Sequence, residues 1–561
     1  MCGIAGVVSR EASVTGAAIM EFSRDKEKYV ITHNGELYNK QELRKELQNL
    51  GHRFHGHSDT EVILQAYVQW GETIVERLNG IFVFAIWEEH NKRLFFARDR
   101  IGVKPLFYTL KNKTFVFASE IKTLFDHPEI KPEIDIGSIA EIMLLGPGRT
   151  PGCGVFKRVK EVMPGCCGFY EENNLRIRQY WRLTDKPHTD TFEQTAEKVR
   201  SLLLNSINKQ LTTDASVGVF LSGGLDSSIV SAAANEHIPL QTFSVDYKDN
   251  ERYFKANRFQ PGSDRPYIDE MVNYLSTSSP VKHHRILLDT DDLAGALYDA
   301  VDARGLPGMA DIDSSLLLLC KRVKEHVPVC LSGECADEIF GGYPWYRDKD
   351  IREYKGFPWA RSVDFRMSFL RPEFKIDAVD YINERYQKTI EETHVLPGTS
   401  HLERRMKEMV NLNFRWFMQT LLSRNDCMSA ACGLKVRVPF CDYRVAEYLY
   451  TVPWEMKNYQ GREKGLLRHA MDGLLPEKVL WRKKSPYPKT HNPAYLAAVS
   501  AMLKEAISNA NAPILQYIRK SALDGLLENT TETPWYGQLM TTPQTIAYFL
   551  QFNYWLLKYN L

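Results

Sequence analysis

Seven residues in the middle of the chain carry the strongest chemical pattern. The motif Ser-Gly-Gly-Leu-Asp-Ser-Ser at 222–228 follows an apolar stretch, 216–221, that is typical of a buried strand, and it precedes small residues that favour a helix. Backbone N–H groups at such a turn, together with the helix dipole, bind anions, and serine hydroxyls add donors. The motif lacks the Gly-Lys-Ser/Thr of a P-loop and the spaced glycines of dinucleotide-binding proteins. The sequence therefore predicts a phosphate site of another kind.

A second pattern lies at the N-terminus. Removal of Met1 would make Cys2 the first residue, and its thiolate could attack an amide while the free α-amine carries the proton. A lone cysteine is weak evidence, but the segments Asn-Gly-Glu-Leu-Tyr-Asn at 34–39 and Ser-Asp-Thr-Glu at 58–61 lie in the same part of the chain. The combination indicates a thiol nucleophile.

Composition limits the class of protein. The 561 residues predict two to four domains. Lys plus Arg total 71 and Asp plus Glu total 70, so the basic bias of proteins that bind nucleic acid or anionic membranes is missing. No apolar run is long enough to span a membrane, and the N-terminus does not resemble a signal peptide. The ten cysteines fit no zinc or disulfide pattern, which favours reduced thiols in a cytoplasmic protein.

The elements that position these motifs fall into two regions. The first is rich in strands, predicted at 28–33, 80–87, 93–97 and 114–118, with amphipathic helices at 40–50 and 60–70, the second capped near Ser58. A polar stretch, 183–191, is the predicted linker. Beyond it a helix is predicted at 192–209, apolar strands at 216–221, 240–246 and 327–331 alternate with helices, and the chain after Glu373 is mostly helical. This alternation favours a parallel α/β sheet.

Further segments of the chain indicate which protein family the phosphate motif resembles. The motif at 222–228 is similar to the pyrophosphate-binding loop of ATP pyrophosphatases, and the accompanying segments resemble bacterial asparagine synthetases over nearly the whole chain. These segments are LSGECADEIFGGY at 331–343, RVPFCD at 437–442, GREKGLLR at 461–468 and LWRKKSPYPKTHNP at 480–493. The resemblance implies a ligase that makes asparagine, AMP and pyrophosphate from aspartate, ATP and a nitrogen donor, through aspartyl-AMP.

The resemblance also implies roles for individual residues. The ATP site would comprise Leu221, Ser222, Gly223, Gly224, Asp226, Ser227, Ser228, Val245, Ser332 and Gly333. Asp226 and Asp337 are hard oxygen ligands that suit Mg²⁺ beside phosphates. Glu334 would take a proton from the attacking ammonia, and Lys464 would stabilise charge on the phosphates. Arg437 would support the substrate site, and the segment 308–315 would contact aspartate.

The N-terminal motifs resemble class II glutamine amidotransferases of the N-terminal-nucleophile type. The resemblance implies that Cys2 is the nucleophile and that the Asn34 side chain and the Gly35 N–H form an oxyanion hole. It places Glu36 and Asp59 at the glutamine, with Asp59 on the α-amine. The implied domains are an α+β sandwich at 2–182, the linker at 183–191, and an α/β ATP-pyrophosphatase domain with a helical C-terminal part at 192–561. A homodimer is compatible with this family.

The chain departs from the family pattern at several positions. Cys2 and Asn34 are 32 positions apart, fewer than is usual, and the segments that normally carry the arginine for the glutamine carboxylate are missing. A deletion near 9–14 would leave the sandwich incomplete, and the unpaired carboxylate would cost on the order of several kcal/mol of binding. We therefore expect weak or absent glutamine hydrolysis, with ammonia as the donor. Cys335 replaces a glycine, which would strain the backbone if φ is positive there, and Lys435 replaces a glutamate.

Two alternatives remain open from the sequence. The first is a related adenylating amide ligase of the β-lactam or lasso-peptide cyclase type, although Glu334, Lys464 and the segment 480–493 favour asparagine. The second is a degenerate, non-catalytic copy that binds nucleotide without turnover. The several departures from the family pattern in this one chain favour this alternative.

Overall fold

The computed structural model describes residues 3–8, 19–24, 27–212, 215–256, 260–537 and 540–561. The chain divides into two compact units, of which the first comprises 1–135 with 151–182 and the second comprises 136–150 with 183–561. The first region predicted from the sequence, 2–182, thus differs at 136–150, which belongs to the second unit. The predicted nucleophile Cys2 and the predicted deletion near 9–14 lie outside the described residues.

The first unit contains two antiparallel sheets. Its strands are β1 Ala5–Val8, β2 Ile19–Arg24, β3 Glu27–Leu37, β4 Gly80–Glu88, β5 Arg93–Arg98, β6 Phe107–Lys111, β7 Thr114–Ala118, β8 Lys160–Glu161, β9 Cys166–Glu171 and β10 Asn174–Gln179. Its helices are α1 Lys40–Asn49, α2 Asp59–Trp70, α3 Ile74–Arg77 and α4 Ile121–Leu124. The strand orders are β1-β7-β6-β8 and β10-β9-β5-β4-β3-β2.

Alternating side chains give the six-stranded sheet two apolar faces. Phe82, Phe84 and Ile86 of β4 pack with the buried sides of α1 and α2. Their neighbours Val83 and Ala85 pack with residues of β1, β6 and β7. Since successive residues of a strand point to opposite faces, one apolar strand joins both cores. The first unit is therefore a sandwich of two sheets with helices on the outer face of the larger one.

The second unit is built on a five-stranded parallel sheet. Its strands are β11 Val217–Phe220, β12 Leu240–Tyr247, β13 Val281–Leu288, β14 Val329–Leu331 and β15 Lys435–Arg437, in the order β13-β12-β11-β14-β15. The chain runs from β11 to β12 on one side and later returns to β14 on the other. Such a reversal opens a crevice at the carboxyl ends of the strands, where α/β sheets bind ligands. The motifs at 222–228 and 332–338 leave β11 and β14 at this edge.

Helices cover the sheet and form the C-terminal part. They are α5 Ile136–Ala140, α6 Phe192–Leu211, α7 Leu225–Asn235, α8 Asn250–Tyr253, α9 Arg265–Ser276, α10 Thr290–Gly295, α11 Leu297–Arg304, α12 Asp311–Lys324, α13 Ala336–Phe340, α14 Lys349–Arg352, α15 Val363–Met367, α16 Ala378–Glu391, α17 His401–Leu412, α18 Met418–Ala431, α19 Tyr443–Thr451, α20 Trp454–Lys457, α21 Gly465–Ala470, α22 Glu477–Leu480, α23 Pro493–Ser508, α24 Lys520–Glu528 and α25 Thr542–Tyr559. Within the described ranges, no helix combines the length and the apolar character needed to cross a bilayer.

The predicted elements and fold class are confirmed. Every strand and helix predicted in the first unit is present to within a few residues, and the Ser58 side chain caps α2 by accepting from the Glu61 N–H. The parallel α/β sheet and the helical C-terminal part are also present. These segments have strong periodicity and clear boundaries, which is why local pattern was sufficient to find them.

The predicted linker at 183–191 forms neither helix nor strand, but it is bound along the second unit. The Asp185 carboxylate accepts from Lys407 Nζ at 2.8 Å, and the Asp185 N–H donates to His394 Nδ1 at 3.0 Å. His188 Nε2 lies 2.8 Å from the Thr195 hydroxyl at the start of α6. This stretch is therefore fixed by buried polar contacts, and it belongs to the second unit.

Candidate functional site

The phosphate motif forms a loop between β11 and α7. The Ser222 and Ser227 hydroxyls lie 3.1 Å apart, and the Ser227 hydroxyl also accepts from the Ser222 N–H at 3.2 Å. Gly224 is the N-terminal cap residue of α7, and no side chain caps that end. The loop thus presents hydroxyls and helix N–H groups together, which is the arrangement that binds phosphate oxygens.

The loop after β14 packs directly against this phosphate loop. A Cβ on Gly333 would lie 2.8 Å from the Ser227 nitrogen and 2.9 Å from the Asp226 carbonyl carbon, so a side chain at 333 would force the two loops apart. This close approach brings Ser332, Glu334 and the start of α13 beside the phosphate loop.

The two loops border a cavity of about 260 Å³. Most of the residues predicted for the synthetase site line it: Leu221, Ser222, Gly224, Asp226, Ser227, Val245, Ser332, Gly333, Glu334, Asp337 and Lys464. Gly223, Ser228 and Arg437 are not among its lining residues. The structure therefore brings together predicted residues from four separate segments of the chain.

Two aspartates and two lysines meet at one end of this cavity. Lys464 Nζ lies 2.8 and 2.7 Å from the two Asp226 carboxylate oxygens and 2.8 Å from Asp337 Oδ1. Lys484 Nζ lies 2.5 Å from Asp337 Oδ2. We call these four residues the carboxylate–lysine cluster.

Charge balance controls the protonation of the carboxylate–lysine cluster. Burial would raise the pKa of Asp337, but Lys464 and Lys484 outweigh burial and hold it well below its usual range. Burial raises the pKa of Asp226, and the neighbouring Asp337 adds to this effect. Burial would lower the pKa of Lys484, yet Asp337 and Asp226 raise it overall. The pKa values of Asp226, Asp337 and Lys484 are therefore set by the other charges of the cluster.

The carboxylate–lysine cluster has the geometry for a cation. Asp226 and Asp337 both contact one atom, Lys464 Nζ, at 2.7–2.8 Å, so their oxygens converge on a single point that already holds positive charge. In the described ranges, no group of three or more His, Cys, Asp and Glu side chains is arranged to hold a metal. Mg²⁺ commonly takes one or two carboxylates and completes its shell with phosphate oxygens and water, so this pair of residues fits Mg²⁺.

Glu334 faces the same cavity and is held by an arginine. Glu334 Oε1 accepts from Arg424 Nη2 at 2.7 Å, and Oε2 is buried with no hydrogen-bond partner among the described residues. Burial would lower the pKa of Arg424, but Glu334 and Asp313 raise it overall, so the guanidinium is charged. One Glu334 oxygen is therefore fixed, and the other is available to a ligand.

Cys335, which follows Glu334, has a left-handed backbone with φ 78°, so the condition under which a side chain at this position strains the backbone is met. Burial, with Cys441 beside it, raises the pKa of the Cys335 thiol well above its usual value. This residue is a strained and unreactive neighbour of Glu334.

The remaining predicted synthetase residues reach the cavity only in part. Arg437, at the end of β15, donates to the Gln210 carbonyl at the end of α6 and is buried. In the segment 308–315, Met309 lines the cavity, whereas Asp313 forms a buried ion pair with Arg304 at 3.3 Å. Lys435 is exposed on the same strand as Arg437.

Several cavity residues were not identified individually from the sequence. They are Arg424, Lys484, Arg482 with its partner Asp264, and Glu338 with Tyr343. Lys484 and Arg482 lie in the segment 480–493, and Glu338 lies in 331–343. Both segments resemble asparagine synthetases, but the resemblance assigned no role to these three residues. Arg424 is on α18, where helical periodicity gives no signal that one arginine faces a cavity.

In the first unit, the predicted glutamine-site residues lie along β3 and at the start of α2. Gly35 has φ 145°, and a Cβ there would lie 2.1 Å from the Ile81 carbonyl oxygen, so this position requires glycine. Asn34 precedes it and is largely buried, and Glu36 follows it on the same strand. The Asp59 carboxylate accepts from the Leu37 N–H at 2.8 Å and lies 2.9 Å from Lys40 Nζ. The structure thus groups 34–37 with Asp59.

The comparisons with known proteins agree on one family. Residues 198–557 match the family model described as asparagine synthase, and residues 11–181 match the model of a glutamine amidotransferase domain. The chain is 45% identical to asparagine synthetase [glutamine-hydrolyzing] 3 of Bacillus subtilis, over 95% of this chain and 88% of that protein. It is 30% identical to asparagine synthetase [glutamine-hydrolyzing] 1 of the same organism, over 83% and 76%. Because the asparagine synthase match spans more than half of the chain and the identity to such a relative extends over nearly all of it, the chain belongs to the asparagine synthase family.

Proposed function

We propose that this protein is an ATP-dependent asparagine synthetase that activates aspartate as aspartyl-AMP and releases pyrophosphate. The observation that carries the proposal is the single cavity in which the phosphate loop, the carboxylate–lysine cluster and the Glu334–Arg424 pair meet. A phosphate site, a cation site and a base are the three requirements for adenylation of a carboxylate and attack on the product by ammonia.

The phosphate loop and the two lysines serve the first step. The Ser222 and Ser227 hydroxyls and the N–H groups at the start of α7 hold the β- and γ-phosphates, while Lys464 and Lys484 offset the negative charge that develops as pyrophosphate leaves. Mg²⁺, when bound at Asp226 and Asp337, would neutralise phosphate charge. Leu221 and Val245 line the cavity beside the loop and suit the adenosine.

Glu334 serves the second step. Ammonia that attacks the acyl carbon must lose a proton, and a carboxylate within hydrogen-bond reach can accept it. Arg424 holds Oε1, so the buried Oε2 is the oxygen proposed to receive that proton. This assignment makes Arg424 a positioning residue and Glu334 the base.

The nitrogen source is proposed to be ammonia, with glutamine used weakly or not at all. The short N-terminal segment lacks the arginine expected for the glutamine carboxylate. In addition, Lys40 lies against Asp59, the carboxylate proposed for the α-ammonium of glutamine, so a ligand would have to compete with it.

The test measures asparagine and pyrophosphate formed from aspartate and Mg-ATP, with ammonium and with glutamine in parallel. Activity with ammonium alone would support the synthetase and an impaired glutaminase. Equal activity with both donors would refute the impaired glutaminase and leave the synthetase proposal intact. No product with either donor, although nucleotide still raises the melting temperature, would favour the non-catalytic copy.

A further inference from the structure

In the carboxylate–lysine cluster, every carboxylate oxygen lies within ion-pair distance of an ammonium group, although Asp337 Oδ1 receives no hydrogen bond among the described residues. Lys464 contacts both oxygens of Asp226 and one of Asp337, and Lys484 contacts the other. We propose that Lys464 occupies the divalent-cation position until nucleotide binds, so that this site admits the cation only together with a nucleotide. This inference rests on the proposed function, since it concerns the cation that accompanies ATP.

The position of Lys464 Nζ is well defined. The Lys464 side chain is 2% exposed, and its backbone, at φ 54°, starts α21 in a left-handed conformation. A Cβ on the next residue, Gly465, would lie 2.3 Å from the Tyr459 carbonyl, so the turn that presents the lysine is closely packed. The ammonium is therefore directed into the carboxylate pair by the fold.

Charge counting explains why cation and lysine exclude each other. Two aspartates and two lysines leave the cluster neutral, and a divalent cation added without displacement would leave two uncompensated positive charges in a buried place. Unpaired buried charge is strongly unfavourable. A cation can therefore bind the two aspartates only if at least one ammonium leaves them.

Among the described residues, a displaced lysine finds no carboxylate in the cavity that is without a protein partner, although Glu334 keeps one oxygen, Oε2, outside its contact with Arg424. The other three carboxylates that line it within the described ranges already have partners: Glu334 with Arg424, Asp264 with Arg482, and Glu338 with Tyr343. Nearby Glu463 accepts from Arg468 at 3.0 Å and from the Lys484 N–H at 3.0 Å. Two displaced ammonium groups therefore need more negative charge than the single Glu334 oxygen offers, and a phosphate-bearing ligand brings that charge.

A nucleotide triphosphate supplies that anion. Its phosphate oxygens would pair with Lys464 and Lys484 while the two aspartates take the cation, so that both exchanges happen together. Binding of nucleotide and binding of cation are then positively coupled, and each raises the affinity for the other by the same factor. The residues that compete with the cation in the free protein become phosphate ligands in the complex.

The test uses Mn²⁺ as the probe and electron paramagnetic resonance of free Mn²⁺ as the readout, on the full-length chain. Without nucleotide, Lys464→Gln should bind Mn²⁺ at least 10-fold more tightly than the wild type. Lys478→Gln is the matched control, because Lys478 is an exposed lysine paired with Glu270 on the surface. The control should bind Mn²⁺ as the wild type does.

A second measurement uses only the wild type and so does not depend on how well a variant folds. Mn²⁺ binding is compared with and without α,β-methylene-ATP, with Mn²⁺ bound by the nucleotide alone subtracted. Saturating nucleotide should tighten Mn²⁺ binding at least 10-fold. Equal Mn²⁺ affinity with and without bound nucleotide, or equal affinity of Lys464→Gln and the wild type without it, would overturn the inference. Failure of the analogue to raise the melting temperature would instead count against the proposed function, and the variant comparison without nucleotide would still decide the role of Lys464.

Discussion

Carboxylates are used differently in the two units. In the first unit two buried carboxylates bind the backbone, since Asp99 accepts from the N–H groups of 101–104 and Glu61 accepts from those of His55 and Gly56, although others there, such as Glu161 with Arg98, pair with arginine. In the second unit the carboxylates of the cavity are paired mainly with side-chain cations, as in the carboxylate–lysine cluster and the Glu334–Arg424 pair.

This difference separates structural acids from exchangeable ones. A carboxylate that binds backbone N–H groups cannot be released without unfolding its loop, whereas a lysine side chain can rotate away when a ligand replaces it. Asp59 of the first unit is intermediate, because it holds the Leu37 N–H with one oxygen and Lys40 with the other. The type of partner thus indicates which acids are able to exchange a protein contact for a ligand.

The largest expected effect tests Glu334. Glu334→Gln keeps the shape and an acceptor for Arg424 but removes the base, so asparagine formation should fall roughly 10²–10⁴-fold with ammonium, and by the same factor in any synthesis that glutamine supports. Rates with each donor provide the measurement. Glu325→Gln, at the exposed end of α12, is the matched control. A loss with glutamine only would show that Glu334 does not act in the step common to both donors.

The next prediction concerns Asn34 of the first unit, which is assigned to glutamine hydrolysis. Loss of an oxyanion-hole donor typically lowers turnover roughly 10²–10³-fold, so Asn34→Ala should remove most of the weak glutamine-dependent synthesis that the wild type retains and change ammonium-dependent synthesis less than twofold. The ratio of the two rates is the measured quantity. A proportional loss with both donors would contradict the assignment of Asn34 to glutamine hydrolysis.

The third prediction concerns Asp311, a buried acid whose negative charge is only partly stabilised by Gln544 and Lys489. Burial raises the pKa of Asp311 to about 6, while Gln544 and Lys489 oppose this effect. Between its ordinary pKa and about 6 the folded chain binds more protons than the unfolded chain, so this residue's contribution to stability is lost as pH rises through that range. Asp311→Asn should therefore gain about 3 kcal/mol relative to the wild type between about pH 4 and about pH 7.

Calorimetric melting of both proteins across this pH range gives the measurement for Asp311. A constant difference in melting temperature between them would show that the carboxyl titrates normally.

The smallest expected effect concerns Cys335, with φ 78°. Cys335→Gly and Cys335→Ala both remove the thiol, but only alanine retains the left-handed strain, so the glycine variant should be about 1 kcal/mol more stable. At Cys320, inside α12, the order should reverse, because glycine is unfavourable in a helix interior. Thermal unfolding of the four variants measures both differences. The same order at both positions would mean that strain at 335 is negligible.

Sequence reasoning succeeded where the signal is local. Four strands of the first unit, β3, β4, β5 and β7, together with the loop between β11 and α7 and the parallel sheet, followed from periodicity and from the residue types that anion binding and turns require, whereas the other strands of the first unit were not predicted. It did not place 136–150 in the second unit, because an apolar stretch does not indicate which core buries it. It also did not single out Arg424, which lines the cavity, while the supporting role of Arg437, which does not line it, stays a prediction.

The sequence by itself determined the chemical groups of this protein and the elements that carry them. Only the tertiary structure decided which groups pair, since Asp226, Asp337, Lys464 and Lys484 are far apart in the chain and meet through the order of the strands and the packing of α13 and α21. The physical reason is the distance along the chain over which each kind of interaction acts. Helix, strand and turn preferences act over a few residues, whereas the charge state of a buried carboxylate depends on whichever cation the fold places within about 3 Å of it.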